Sequence, residues 1–267
     1  MIILGLISDH RARRSLSPAI HNRILEEEGI PGAYLPFEVS PERLGRAVEG
    51  LRALGMRGAN VTVPYKEAVI PFLDHLEPEA GRVGAVNTIL NQEDELIGYN
   101  TDPGGFLQAL GLAGFEPDGA GALVLGLGGA ARAVTAALTG SGAQVTLAGR
   151  DEAAGLELAE EFRARFRPLA GLQPGEVGLV VNATTVSEPV ESPALAGLVR
   201  ELEISGCRLV MDLNYGRPEN LWAGLADRLK AGFQDGETML AAQARLSFRL
   251  WTGREVDLGR FQAALSL

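Results

Sequence analysis

Residues 122–150 read ALVLGLGGAARAVTAALTGSGAQVTLAGR, and the fold follows from how that stretch divides. Residues 122–125 form an apolar run of strand length that stops at Gly126. Gly126-Leu127-Gly128-Gly129-Ala130 is a glycine-rich turn, residues 131–139 a helical stretch, Ser141-Gly142 its break, and residues 144–148 a second strand. A strand, tight turn, helix and strand within ~30 residues is the context that gives a glycine cluster the meaning of a dinucleotide site. Glycine permits positive backbone angles and close approach to a phosphate, and the helix N-terminus behind it offers free N–H groups and a positive dipole end. Outside such a context the same glycines are an ordinary turn.

Working outward, the pattern after residue 150 continues helix 152–166, strand 177–182, helix 192–203, strand 208–213 and helix 221–231. At least four strands alternating with helices predict a doubly wound parallel sheet. Before the glycine turn, strand 2–7 runs into a polar, basic loop over 8–17. Ser17-Pro18 reads as a helix start, serine as cap and proline at the first helical position, and that helix stops at Gly29. Strand 33–39, a second helix from Ser40-Pro41 to near Gly55, strand 58–63 and a short helix 66–72 follow. Strands 86–90 and 95–98, joined by the polar turn 91–94, predict a hairpin at the edge of a mixed sheet. Residues 102–112 form a helix leaving this first domain, and 113–121 connect it to the glycine unit. The tail, 237–267, is helical with a break at Thr252-Gly253, and periodicity does not say which domain it covers. The expected fold is α/β with two domains: a mixed-sheet domain, then a doubly wound Rossmann-like one.

Composition narrows the function. The chain has 267 residues, 46% of them apolar, which provides a sizeable core and excludes global disorder. No apolar run reaches the ~18 residues of a membrane span, and the start lacks a basic secretory pattern. A formal net charge of -10 with no basic stripe argues against nucleic acid as partner. One cysteine, Cys207, excludes an internal disulfide framework and fits a reducing, cytoplasmic setting, with a buried inert thiol as its reading. His10, His21 and His75 are dispersed and show no metal-ligand spacing, so no metal is expected. The only lysines are Lys66 and Lys230, and lysine, unlike arginine, can exchange a proton near neutrality.

Short polar residues gather where strands end. Ser15 and Ser17 set two hydroxyls beside a helix N-terminus, an arrangement suited to a carboxylate and equally to a plain cap. Asn60 and Thr62 share one face of a strand, Pro64 ends it, and Lys66 follows. Asn87 lies within residues 84–88, and Gly98-Tyr99-Asn100-Thr101-Asp102 closes the series. Amides at interior strand positions are costly without partners, so the set points to a pocket for a small polyhydroxylated ligand, against solvated loops as the alternative. Lys66 and Asp102 are the pair for proton chemistry; either can make the direct transfer. Asp102, before Pro103, is also a helix-cap candidate, and the two roles are compatible.

In these motifs and their order the chain resembles the shikimate dehydrogenase family, over nearly its whole length. The segments carrying the resemblance are Ser15-Leu16-Ser17-Pro18 with His21-Asn22, residues 60–66 (NVTVPYK), 84–88, 98–102, the glycine turn, and 236–243 (GETMLAAQ) followed by Leu250-Trp251-Thr252-Gly253. The resemblance implies reversible NADPH-dependent reduction of 3-dehydroshikimate to shikimate, in chorismate and aromatic amino-acid biosynthesis, with a homodimer as a frequent assembly. It implies that Ser15, Ser17 and Tyr215 meet the substrate carboxylate, and that Asn60, Thr62, Lys66, Asn87, Asp102 and Gln243 hold the ring oxygens, with Lys66 and Asp102 catalytic. For NADP it implies Gly126, Gly128, Gly129, Ala130, Asn182, Thr184 and Leu213, with the nicotinamide near Gly236 and Met239. Residues 1–101 and 238–267 then form the substrate domain and 102–237 the NADP domain. NADP-specific members usually carry Asn-Arg-Thr or Asn-Arg-Ser after the second nucleotide-domain strand; here the residues are Gly149-Arg150-Asp151. Arg150 supports a 2′-phosphate, with Arg132 as a second phosphate contact, whereas Asp151 either caps the next helix or weakens the preference for NADP. Residues 182–187 and 212–218 follow the family pattern in part. The alternatives are a quinate/shikimate dehydrogenase with dual NAD/NADP use, for which a threonine at position 17 would speak, and a non-catalytic nucleotide-binding module, which would have lost Lys66 or Asp102.

Overall fold

The computed structural model describes residues 1–265. Two compact units emerge: Met1–Gly105 with the segment from Leu240 onward, and Phe106–Met239. Both changes of unit fall inside helices, four residues beyond the expected boundary at the first and two at the second.

In the first unit β1 (Ile2–Ser8), α1 (Ser17–Glu27), β2 (Gly32–Glu38), α2 (Leu44–Ala53) and β3 (Gly58–Val61) form two crossovers. β4 (His75–Leu76), α3 (Pro78–Val83), β5 (Thr88–Gln92), β6 (Glu95–Tyr99) and the start of α4 (Asp102–Leu112) follow. Among the described residues the sheet has the order β2-β1-β3-β5-β6-β4. The first three strands are parallel, while β5 runs antiparallel to both β3 and β6. The mixed sheet is as expected; the hairpin is not its outermost element, because the two-residue β4 pairs with β6. Strand alternation sends Leu4 and Leu6 into one apolar cluster and Ile7 into another on the opposite face.

Two local expectations fail here for identifiable reasons. Ser17 does not cap α1: it is the first helical residue, preceded by Leu16 in helical geometry. Residues 66–72 are not an α-helix; one turn forms, with Val69 N–H on the Tyr65 carbonyl, before a 3-10 turn at Ile70–Phe72. Pro71 has no N–H to continue the ladder.

The second unit opens with most of α4 and continues β7 (Gly121–Leu125), α5 (Gly129–Gly140), β8 (Gln144–Gly149), α6 (Glu152–Glu161) and β9 (Arg165–Pro168). Then come β10 (Gly175–Glu176), β11 (Leu179–Asn182), α7 (Pro193–Glu201), β12 (Ile204–Ser205), β13 (Leu209–Asp212), α8 (Leu221–Leu229) and β14 (Gly232–Gln234). The sheet order is β14-β13-β11-β7-β8-β9, all parallel, which is the doubly wound arrangement with its order reversing at β7. Leu123, Leu125, Val180 and Val210 of its strands pack on Trp222 and Leu225 of α8. The helix expected over 152–166 ends at Glu161; Arg163 turns the chain with φ 54°, and β9 takes the remainder. β9 lies close against α6, because a Cβ at Gly155 would fall 2.1 Å from the Phe166 ring.

The tail is α9 (Glu237–Thr252), a loop, and α10 (Leu258–Ala263). From Leu240 it belongs to the first unit, where Phe248, Trp251 and Phe261 join the cluster of Leu4, Leu6, Ile20 and Ile24. The final two residues of the expected helical tail lie outside the described residues. Among those described, no helix is long and apolar enough to cross a membrane.

Candidate active site

The direction of β5 builds the first site. Running antiparallel to β3 and β6, it starts where they finish, and the register Asn60↔Thr88↔Tyr99 puts the three ends side by side. Lys66, on the turn after β3, thereby meets Asp102, the first residue of α4, and Asn87, which enters β5. Lys66 Nζ lies 2.6 Å from Asp102 Oδ2, with side-chain exposures of 13% and 6%. Such a charge-assisted bond is strengthened by the scarcity of water around it.

Hydrogen bonds fix the orientation of the carboxylate. Asn87 Oδ1 accepts the Thr101 N–H at 2.8 Å, so its Nδ2 must face the other way, where it donates to Asp102 Oδ1 at 2.8 Å. Asn100 Oδ1 accepts the Asp102 N–H at 3.0 Å. Asp102 stands inside the helix rather than capping it: the first turn closes through Gly105 N–H on the Thr101 carbonyl. Gln243, on α9, brings Oε1 to 3.4 Å from both Asn87 Nδ2 and Thr101 Oγ1.

Asn60 is tied into the protein. Its Oδ1 accepts from the Tyr34 hydroxyl at 2.8 Å, while its Nδ2 is shared among the Asn87 carbonyl, Thr88 Oγ1 and Ser247 Oγ at 3.0 to 3.2 Å. The amide is committed within the protein and buttresses the site. Burial raises the Tyr34 hydroxyl well above its usual pKa, with Ser17 opposing, so Tyr34 donates as a neutral phenol. Ser15 Oγ donates to Ser17 Oγ at 3.2 Å, leaving a hydroxyl pair at the start of α1. Thr62, half-buried, continues β3 by donating its N–H to the Ile7 carbonyl. Tyr215 lies in the other unit, after β13.

Several parts of this network go beyond the residues singled out in the sequence. Thr101 lies inside the 98–102 motif, yet nothing in the motif assigns it a role. Ser247 bridges Thr88, Thr101 and Asn60, and its signal is its place one helical turn after Gln243. Thr88 closes the 84–88 segment, yet nothing there assigns it a role, and Tyr34 carries no signal, since its hydroxyl reaches Asn60 from a strand that is not paired with β3.

The second unit provides an anion cradle. Gly126 adopts φ 121°, and a Cβ there would fall 2.8 Å from the Ala183 carbonyl oxygen. Gly128 is the N-cap of α5, Gly129 its first residue and Ala130 its second; a Cβ on Gly128 would meet nothing within 4 Å. The space over the first turn is therefore open to a phosphate, and these residues fit the pyrophosphate of a dinucleotide. At the end of β8, Arg150 is exposed and, among the described residues, has no ion-pair partner. Asp151 caps α6, its Oδ1 accepting the Ala154 N–H at 3.1 Å. Arg132 is engaged elsewhere, paired with Glu161 and lying over the Phe162 ring.

Asn182 and Thr184 hold their own loop. Asn182 donates to Asp212 Oδ1 at 2.7 Å and accepts from the Thr184 hydroxyl at 2.7 Å. Leu213 and Gly236 come together because Gly236 lacks a side chain: a Cβ would lie 2.2 Å from the Leu213 carbonyl oxygen. Met239 is buried on α9. Among the described residues no group of His, Cys, Asp and Glu is placed to hold a metal ion.

A dinucleotide cradle in one unit and a part-buried lysine–carboxylate pair in the other place the chain among the dinucleotide-dependent oxidoreductases. Residues 7–89 match the shikimate dehydrogenase substrate binding domain, and residues 236–265 the shikimate 5′-dehydrogenase C-terminal domain. A shikimate dehydrogenase (NADP(+)) of Citrifermentans bemidjiense is 41% identical over 94% of this chain and 90% of its own. That of one Thermus thermophilus strain is 46% identical over 91% and 90%. The crystal structure of shikimate 5-dehydrogenase from another strain of that species, in complex with NADP(H) and shikimate, superposes with a TM-score of 0.88 at 39% identity, covering 100% of this chain and 99% of that one. The chain belongs to the shikimate dehydrogenase family.

Proposed function

We propose that this chain catalyses the reversible NADPH-dependent reduction of 3-dehydroshikimate to shikimate, a step of chorismate and aromatic amino-acid biosynthesis. The observation that carries the reading is the Lys66–Asp102 pair, held by Asn87 and Thr101 at one end of a sheet in a unit matching the family's substrate-binding domain. NADPH supplies the hydride for the ketone carbon.

The residues of the chain do the rest. The Lys66 ammonium stabilises negative charge developing on the carbonyl oxygen and donates the proton that makes it a hydroxyl; in reverse it takes that proton back. Asp102 holds Lys66 in place and, with Asn87 and Gln243, presents acceptors and donors to the ring hydroxyls. Thr62 adds its hydroxyl to that set. The Ser15 and Ser17 hydroxyls, beside the start of α1, receive the substrate carboxylate, and Tyr215 is assigned the same group. Asn60 acts from behind, fixing the Asn87 and Thr88 segment. On the cofactor side the open turn at Gly126–Ala130 takes the pyrophosphate and Arg150 the 2′-phosphate, while Leu213, Gly236 and Met239 shape the nicotinamide end.

The test is initial-rate oxidation of shikimate with NADP+ and with NAD+, beside quinate. Turnover of shikimate with NADP+ and little with quinate is the expected outcome. Folded protein that turns over neither acid with either cofactor would overturn the reading.

A further inference from the structure

Among the side chains of the glycine turn, Leu127 is the large one, and it does not point into empty space. The turn is tied to the end of β8 by Gly126 N–H donating to the Ala148 carbonyl at 2.9 Å. Across that tie Leu127 lies over the next residue, Gly149: a Cβ there would fall 2.5 Å from Leu127 Cδ1 and 2.6 Å from Cγ. Gly149 is buried within β8 and shows no left-handed backbone angle that would demand glycine. A side chain there would overlap Leu127, which is half-buried and would have to turn aside to admit it.

The consequence falls on the ribose end of the cofactor. In doubly wound folds the residues following the second strand read the 2′ substituent of the adenosine ribose. Here the three candidates are unequal. Gly149 has no side chain, and the Asp151 carboxylate is bonded back onto its own helix. Arg150 presents an exposed cation without an ion-pair partner among the described residues, and of the three it is the one whose charge suits a phosphate. We propose that Leu127 gates position 149: by occupying the space of a side chain there, it keeps that position from reading the ribose and leaves discrimination between a 2′-phosphate and a 2′-hydroxyl to the guanidinium of Arg150. A hydrogen-bonding side chain at 149 becomes admissible only when Leu127 is trimmed. The inference rests on the NADP reading above and adds a coupling between two positions.

Calorimetric titration of the full-length protein with NADP+ and NAD+, which reads binding without turnover, tests it on the wild type, Gly149→Asn, Leu127→Ala and the double variant. Gly149→Asn alone should weaken both dinucleotides together, because the new side chain displaces the glycine turn. Leu127→Ala alone should leave their affinity ratio near the wild-type value. The double variant should recover binding and favour NADP+ over NAD+ about tenfold more than the wild type, the worth of one added hydrogen bond to a charged group. A Leu127→Ala/Gly149→Ser pair repeats the test should the first double variant fold poorly, as judged by its melting curve. A rise in the ratio for Gly149→Asn equal to that of the double variant would overturn the steric coupling, as would well-folded double variants with the wild-type ratio. Wild-type protein that binds neither dinucleotide would overturn the NADP reading itself, a distinct failure.

Discussion

Asn87 shows how one side chain organises another. An amide has a donor and an acceptor end, and the backbone N–H of Thr101 occupies the acceptor at 2.8 Å. The donor end then has to face Asp102, which aims the opposite carboxylate oxygen at Lys66. His21 is the contrasting case. It is fully buried, stacked on Tyr34 with ring centroids 4.6 Å apart, and among the described residues neither ring nitrogen has a hydrogen-bond partner. Burial lowers its pKa from 6.5 to about 3. The unfolded chain therefore binds a proton between those values that the folded chain refuses, so this contribution to stability is present above 6.5 and is lost as the pH falls. Denaturant titrations at pH 6.5 and 4.5 should show the wild type losing about 2 kcal/mol more than His21→Phe over that interval. Equal losses in the two proteins would contradict the assignment.

At the scale of elements, much is legible without coordinates. Residues 102–112 read as a helix and are one, and the glycine turn joins a strand to a helix as its pattern requires. Patterns fail where tertiary packing or a single backbone angle decides the outcome. Residues 152–166 have helical composition, yet the left-handed turn at Arg163 and the fit of Phe166 over Gly155 make a strand of the last part. Ser17 has the chemistry of a cap, but Leu16 already holds helical angles. In the catalytic set, Lys66, Asn87 and Asp102 are legible because they sit in motifs at strand ends. Tyr34 is not, since only the packing of distant segments brings it to Asn60, while Thr88 and Ser247 sit beside motif residues without a motif assigning them a role. The α6–β9 fit gives its own prediction. Alanine at Gly155 gains about 1 kcal/mol of helix propensity but must displace the Phe166 ring, at about 1–3 kcal/mol. Thermal unfolding should show Gly155→Ala destabilised and the added Phe166→Ala change relieving part of the clash; a stabilised Gly155→Ala would contradict this packing.

For the whole molecule, the chain order matters more than the net charge. The second unit is one continuous segment with its own apolar cluster around Trp222. The first is discontinuous, and Phe248, Trp251 and Phe261 from the tail complete the cluster around Leu4, Ile20 and Tyr34. A fragment spanning residues 102–239 should thus unfold cooperatively when followed by circular dichroism, whereas 1–105 alone should not, lacking the aromatic half of its core. Cooperative unfolding of 1–105 would contradict that division of labour. Both units serve one claim, that Lys66 moves the proton while the second unit holds the hydride donor. The most direct measurement is kcat for NADP+-dependent oxidation of shikimate by Lys66→Ala, beside its calorimetric affinity for NADP+. The account predicts a fall in kcat of roughly 10²–10⁴-fold with cofactor affinity unchanged; a variant that keeps the wild-type kcat would contradict it.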